Sequence, residues 1–160
     1  MVPWCVALAA TLVPASIYRP SQTYLVPAGT VITVQVQTAA DTKASRVGEQ
    51  ITGRLLKPVV SQNDVELIPE GSKVFGTVTL VDPPAGPKPG RLEIRFTVIE
   101  HLRTGSKAMI RTVPAAFEGG TKKVRKFGVQ KDRGTDAVLT PPAVVSCAMQ
   151  DPLKVIIPKS

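Results

Sequence analysis

Histidine and cysteine are nearly missing from this 160-residue chain: His101 is the single histidine, and Cys5 and Cys147 are the two cysteines. No CxxC pair occurs, so the zinc-cluster and thioredoxin-like readings fall away. A metal site built on His and Cys would have too few ligands. A Ser–His–Asp or Cys–His arrangement would have to use His101, with Cys147 or a serine as nucleophile. No Gly-x-Ser-x-Gly elbow presents such a serine, and His101 falls at a strand end beside a turn, where an exposed, inert role is the simpler reading. The calcium loop D-x-D-x-D-G is absent. Glu118-Gly119-Gly120-Thr121-Lys122-Lys123 has Gly and Lys but not the spacing of a phosphate-binding P-loop. Glu66, Glu70, Glu93 and Glu100 are candidates for a glycosidase-type pair only if the fold assembles them. Charges alternating with apolar residues more often mark a solvated sheet face. The expectation is therefore no catalytic residue, no cofactor and no metal.

Aromatics are also scarce, at 4%, whereas Val, Ile and Thr are abundant, and β-branched side chains favour strands. A composition 43% hydrophobic and 20% charged argues against disorder. Fifteen Pro and twelve Gly cut the chain into pieces too short for long helices. One all-β domain of short strands fits best, and a chain of this size can bury a core without disulfides or metal.

Long apolar runs are lacking too. Val2 to Ala15 carries no charge, but a membrane-spanning helix needs ~20 apolar residues. The stretch fits the apolar region of a secretory signal, with Val13-Pro14-Ala15 as a small-residue cleavage site before Ser16, although no Lys or Arg precedes it. The competing reading is a buried N-terminal strand. With residues 1–15 as a signal peptide, the mature chain has no transmembrane helix and is expected in the periplasm or outside the cell. Cys5 would then be lost and Cys147 would act as a small hydrophobe. With the N-terminus retained, a Cys5–Cys147 bridge stays open.

What is present is a repeat. Leu25-Val26-Pro27-Ala28-Gly29-Thr30-Val31-Ile32 returns as Leu67-Ile68-Pro69-Glu70-Gly71-Ser72-Lys73-Val74. Pro is expected at the second position of a β-turn and Gly at the fourth, with Ser or Thr opening a strand. Ile32, Val34 and Val36 then alternate with polar residues. Val74, Gly76, Val78 and Leu80 should share a face, as should Ile51, Gly53 and Leu55. Leu92, Ile94, Phe96 and Val98 form the cleanest alternation. Thr104-Gly105-Ser106-Lys107 predicts a hairpin turn into a fifth strand near Ala108 to Val113. The loop from Asp82 to Gly90 reads as a stiff connector. The fold class is a small β-barrel or sandwich with an internal two-fold turn-strand repeat, closed so as to remove exposed edges.

The formal charge of +8 points either to an anionic partner or to a solvated basic surface. Arg19, Arg46, Arg54, Arg91, Arg95, Arg103 and Arg111 are dispersed, which disfavours nucleic acid. Only Glu118 to Gly134 is dense, with Lys122, Lys123, Arg125, Lys126, Lys131 and Arg133. These six are the candidate anion-binding residues, on a basic flexible loop spanning 118–136. The division is then 16–117 for the barrel-like domain and 137–160 for C-terminal strands or tail, where Ala143-Val144-Val145 and Val155-Ile156-Ile157 are apolar bursts.

The order Val-Pro-Ala-Gly-Thr-Val-Ile, then Gly48-Glu49, then Leu-Ile-Pro-Glu-Gly-Ser-Lys-Val-Phe-Gly resembles the β-domain of TrbI-like conjugal-transfer proteins, the scaffolds of type IV secretion outer cores. It is similar as well to uncharacterised exported bacterial proteins with the same PAGT…IPxGS layout. The resemblance covers roughly Leu25 to Val113 and rests on turn-forming residues. It implies a periplasm-facing β-barrel with a role in assembly and no catalytic residues. Three functions follow as expectations: an envelope scaffold or interaction module with envelope proteins as partners, a basic module binding an anionic polymer or lipid surface, or an envelope hydrolase built on the barrel.

Overall fold

A computed structural model describes residues 21–158. The signal-like segment and Cys5 lie outside them. Among the described residues every regular element is a strand. These are β1 (Ser21–Val26), β2 (Val31–Val36), β3 (Ala40–Asp41), β4 (Gln50–Leu55), β5 (Val59–Val60), β6 (Glu66–Ile68), β7 (Lys73–Asp82) and β8 (Arg91–Glu100). They continue with β9 (Lys107–Met109), β10 (Ala115–Glu118), β11 (Thr121–Lys126), β12 (Val129–Gly134), β13 (Val138–Leu139), β14 (Ala143–Ala148) and β15 (Leu153–Pro158).

The main sheet runs β10-β8-β7-β4-β2-β14, with β9 and β10 sharing one edge of β8, and every pairing is antiparallel. The sheet curls. Its two ends are tied where Thr112 bridges Met149, the Val113 amide donates to the Ala148 carbonyl (2.8 Å) and the Gln150 amide donates to the Arg111 carbonyl (2.7 Å). Closure satisfies edge groups that would otherwise invite pairing with another chain. The inward positions hold Ile32, Val34, Ile51, Val74, Ile94 and Phe96, all buried. Each such side chain removed from water stabilises the fold by about 1.5–3 kcal/mol.

The two sequence repeats are one structural unit used twice. In the first turn Thr30 donates its amide (3.3 Å) and its hydroxyl (2.7 Å) to the Pro27 carbonyl; in the second, Ser72 does the same to Pro69, at 3.3 and 2.7 Å. Pro therefore occupies the first turn position and Gly the third, one place earlier than the sequence suggested. The reason is backbone conformation. Gly29 and Gly71 have φ of +86° and +80°, a requirement of the third position that glycine meets without a Cβ clash. Each turn then grips a neighbouring strand end. The Gly29 amide donates to the Met149 carbonyl and the Met149 amide to the Thr30 carbonyl, while Gly71 and Ser72 pair with Leu55 in the same way. A third site repeats the pattern without the proline, Gly105 donating to His101 and His101 to Ser106.

Two bulges change which side chains face the core. Between β7 and β8 the register slips at Phe75/Gly76 and again at Val78/Leu80. The extra residues are Thr97 on β8 and Thr79 on β7. One inserted residue flips every side chain beyond it. Val98 and Leu80, expected inside, therefore turn outward, and Ile99 is buried in place of Val98. Gly76 sits opposite Phe96, where a Cβ would lie 2.9 Å from the Phe96 ring. A side chain there is excluded by the ring and, closer still, by the Arg95 carbonyl. The edge strand also breaks beside the Thr97 bulge: the Ile110 amide still reaches the Thr97 carbonyl, but at Phe96 the buried Thr112 hydroxyl takes the ladder's place, accepting from the Phe96 amide at 3.1 Å. Of the fifth strand predicted near Ala108 to Val113, only Ala108 and Met109 lie in a strand, β9, and β10 begins beyond it at Ala115.

Smaller pairs complete the molecule. The two ends of the described chain meet in β1 and β15, β3 pairs with β13, and β5 with β6. The C-terminal bursts are structural, β14 as a member of the main sheet and β15 beside β1. Residues 118–136, read as a loop, fold instead into the hairpin β11–β12. The alternation that marks a strand was invisible there because every residue of β11, and all of β12 but Gly134, is exposed.

Candidate interaction surface

Phe127 and Gly128 turn the hairpin, with φ of +52° and +77°. Two central residues at positive φ make the mirror-image turn whose twist suits a two-residue β-hairpin. In the register, Lys122 faces Arg133, Val124 faces Lys131 and Lys126 faces Val129. Cross-strand partners share a face. Lys122, Lys126, Lys131 and Arg133 therefore share one face with Val124 and Val129, and Lys123 and Arg125 lie on the other beside Asp132 and Gln130. The structure brings together four of the six predicted residues and separates two. None of the six makes an ion pair among the described residues.

The base of the hairpin is tightly mounted. The Gly119 amide donates to the Gly90 carbonyl, Gly134 to Gly86, and Thr135 and Gly120 exchange bonds through both backbone and hydroxyl. A Cβ on Gly119 would collide with the Thr135 carbonyl, and one on Gly134 with the Lys88 carbonyl. Below it, the buried Thr42 hydroxyl donates to Asp136 (3.0 Å) and accepts from the Ala137 amide (3.1 Å). The proline loop read as a connector is thus the platform of the hairpin. Between platform and hairpin runs an open groove lined by Gly86, Val124, Lys126, Lys131, Asp132 and Arg133.

The sequence missed Phe127, Val124 and Val129. Phe127 is 96% exposed at the tip. The available signal was a Phe-Gly pair centred between two charged runs of equal length, which is the spacing of a two-residue hairpin.

The residues considered for catalysis are engaged elsewhere. His101 Nδ1 accepts from the amides of Arg103 (3.2 Å) and Thr104 (3.3 Å), so its imidazole braces the turn. The Ser106 hydroxyl bonds the Thr104 hydroxyl (2.7 Å), and Ser106 meets His101 only through the backbone. Glu66 lies 3.7 Å from Arg103, Glu93 is 2.6 Å from Arg91 and Glu100 is 4.0 Å from Lys107. Glu70 is exposed on the second repeat turn. Cys147 is a buried free thiol facing the core opposite Ile32. Burial pushes its pKa up to about 11, against a weaker downward pull from a hydrogen bond with Thr112. A thiol in that state is a poor nucleophile at neutral pH. Among the described residues no three metal-ligating side chains converge, and no helix is long and apolar enough to cross a membrane.

Fold and surface together define a class: a curled, half-barrel β-sheet module, its ends tied at Thr112 and Met149, that carries a mounted basic hairpin. By sequence the chain matches no known protein family and no curated protein. By structure it is similar to ComB10 of the Com type IV secretion system of Helicobacter pylori, with a TM-score of 0.55 over 86% of this chain and 93% of that one, at 14% identity. The likeness establishes a shared fold. It reaches beyond the stretch from Leu25 to Val113 that carried the sequence resemblance.

Proposed function

We propose that the chain is a non-catalytic interaction module of the bacterial cell envelope that acts as a structural component of a larger assembly. The observation that carries this reading is the shared fold with a type IV secretion component over most of both chains. Fold alone does not transmit function. The engagement of His101, Ser106 and Cys147 in structural contacts supports the same reading, as does the investment of the described chain in closing its sheet. Under this proposal residues 1–15 direct export, the mature chain faces the periplasm or the exterior, and its partners are other envelope proteins.

The test is the native size of the tagged chain, gently extracted from its own host. Migration as a large assembly, with the N-terminus cut near Ala15, is the expected result. A small monomer in the soluble periplasmic or secreted fraction would overturn the scaffold role. Full-length chain confined to the cytosol would overturn export as well.

A further inference from the structure

Phe127 is the most exposed large apolar side chain among the described residues, ahead of Met109 at 76%. Its backbone makes the choice stranger. A φ of +52° suits Gly or Asn, and a bulky residue there is strained. Neither burial nor turn formation explains an aromatic at this point, so folding gains nothing from it. The residues behind it are equally unusual. Val124 and Val129 are exposed between Lys122, Lys126, Lys131 and Arg133 on one face, so apolar and cationic groups interleave. Across both faces, six cations oppose the single carboxylate Asp132 within the hairpin.

We propose that the β11–β12 hairpin docks this protein onto an anionic lipid bilayer. Phe127 enters the boundary between headgroups and acyl chains, with Val124 and Val129 behind it. Lys122, Lys126, Lys131 and Arg133 meet the headgroup phosphates. Basic faces interleaved with apolar side chains bind bilayer surfaces through buried area and attraction to anionic lipid together. Six residues per strand at ~3.4 Å each give the hairpin a face about 20 Å long, which lays Phe127, the two valines and the four cations along one flat surface. The hairpin's base is anchored to the platform by the bonds from Gly119 to Gly90 and from Gly134 to Gly86. A single-stranded nucleic acid would call for successive aromatic platforms, and the hairpin has one aromatic, at its apex. The inference does not depend on membership in a larger assembly.

Sedimentation with vesicles tests it, using the full chain and phosphatidylcholine alone or mixed with phosphatidylglycerol. Binding is expected only to the mixed vesicles and should weaken steeply with salt. Each cation near the surface is worth roughly fivefold in affinity, so Gln at Lys122, Lys126, Lys131 and Arg133 together should weaken binding at least ~100-fold. Phe127→Ser should weaken it ~10-fold through lost apolar insertion. Lys123→Gln with Arg125→Gln, on the opposite face, should cost less than any two changes on the docking face. Equal binding to phosphatidylcholine alone, no binding to either vesicle, or indifference to Phe127→Ser would each overturn the proposal. So would displacement from the vesicles by polyphosphate or a single-stranded oligonucleotide that binds Phe127→Ser equally well. The salt series on the unaltered chain needs no variant to fold, and the urea midpoint confirms that each variant does.

Discussion

Cys147 shows how one buried side chain reports on the seam that ties the ends of the curled sheet. Its thiol lies against Thr112, the residue that bridges the sheet ends, and burial holds it in the neutral form up to about pH 11. In the unfolded chain the group ionises near its ordinary 9.0. Below that pH both states are protonated and the contribution to stability is complete. Between 9.0 and about 11 only the unfolded state loses its proton, so stability falls as pH rises through that window. Urea midpoints taken across the window should decline more for the native chain than for Cys147→Ala, the difference isolating this thiol from other titrating groups. In the native state at neutral pH, alkylation of Cys147 should be slow and should accelerate on unfolding.

At the scale of elements, the two proline turns form a natural comparison. Gly29 and Gly71 hold nearly the same left-handed backbone, so an alanine at either should cost about 1–2 kcal/mol, and the two costs should match. The hydroxyls should not match. Thr30 is only partly buried and its bond to Pro27 competes with water, so Thr30→Val should cost about 0.5–1 kcal/mol. Ser72 is fully buried, donates to Pro69 and accepts from the Leu102 amide at 3.2 Å. Ser72→Ala leaves the Leu102 amide without its acceptor, at a cost of about 1–3 kcal/mol, while the Pro69 carbonyl keeps its bond from the residue-72 amide. Urea unfolding of the four variants checks both statements, and equal losses for Ser72 and Thr30 would contradict the second. These turns were legible in the sequence because proline and glycine carry their geometry locally. So were β2, β4 and the first half of β8, where one buried face imposes alternation. The bulges at Thr79 and Thr97 were not, because the slip is set by the partner strand and the threonines look like any other strand residue. Val98 and Leu80 were misplaced for that reason. The hairpin was hidden by the opposite cause: with both faces in water there is no apolar period to read, and its six cations were found while their division into two faces was not.

At the scale of the molecule, stability and surface chemistry belong to different parts of the chain. The core is closed by contacts far apart in sequence, β2 with β14 and Thr112 with Met149, which no local pattern could disclose. The hairpin adds to that core only the buried backbone of Gly134 and the anchoring bonds at its base. Removing residues 121–134 and rejoining the base with a short Gly-Asn turn loses the bond from the Gly134 amide to Gly86, about 0.5–1.5 kcal/mol. Thr112→Ala, a change of a few atoms, leaves the buried Phe96 amide without its acceptor and loosens the seam, at about 1–3 kcal/mol. The small substitution should therefore lower the urea midpoint at least as much as the large excision. Vesicle binding should reverse that order, absent in the excised chain and intact in Thr112→Ala at urea concentrations where it is folded. If excision unfolds the barrel, the hairpin is part of the fold and its exposure needs another account. If excision leaves both stability and vesicle binding unchanged, the mounted hairpin is idle and the membrane contact lies elsewhere on the molecule.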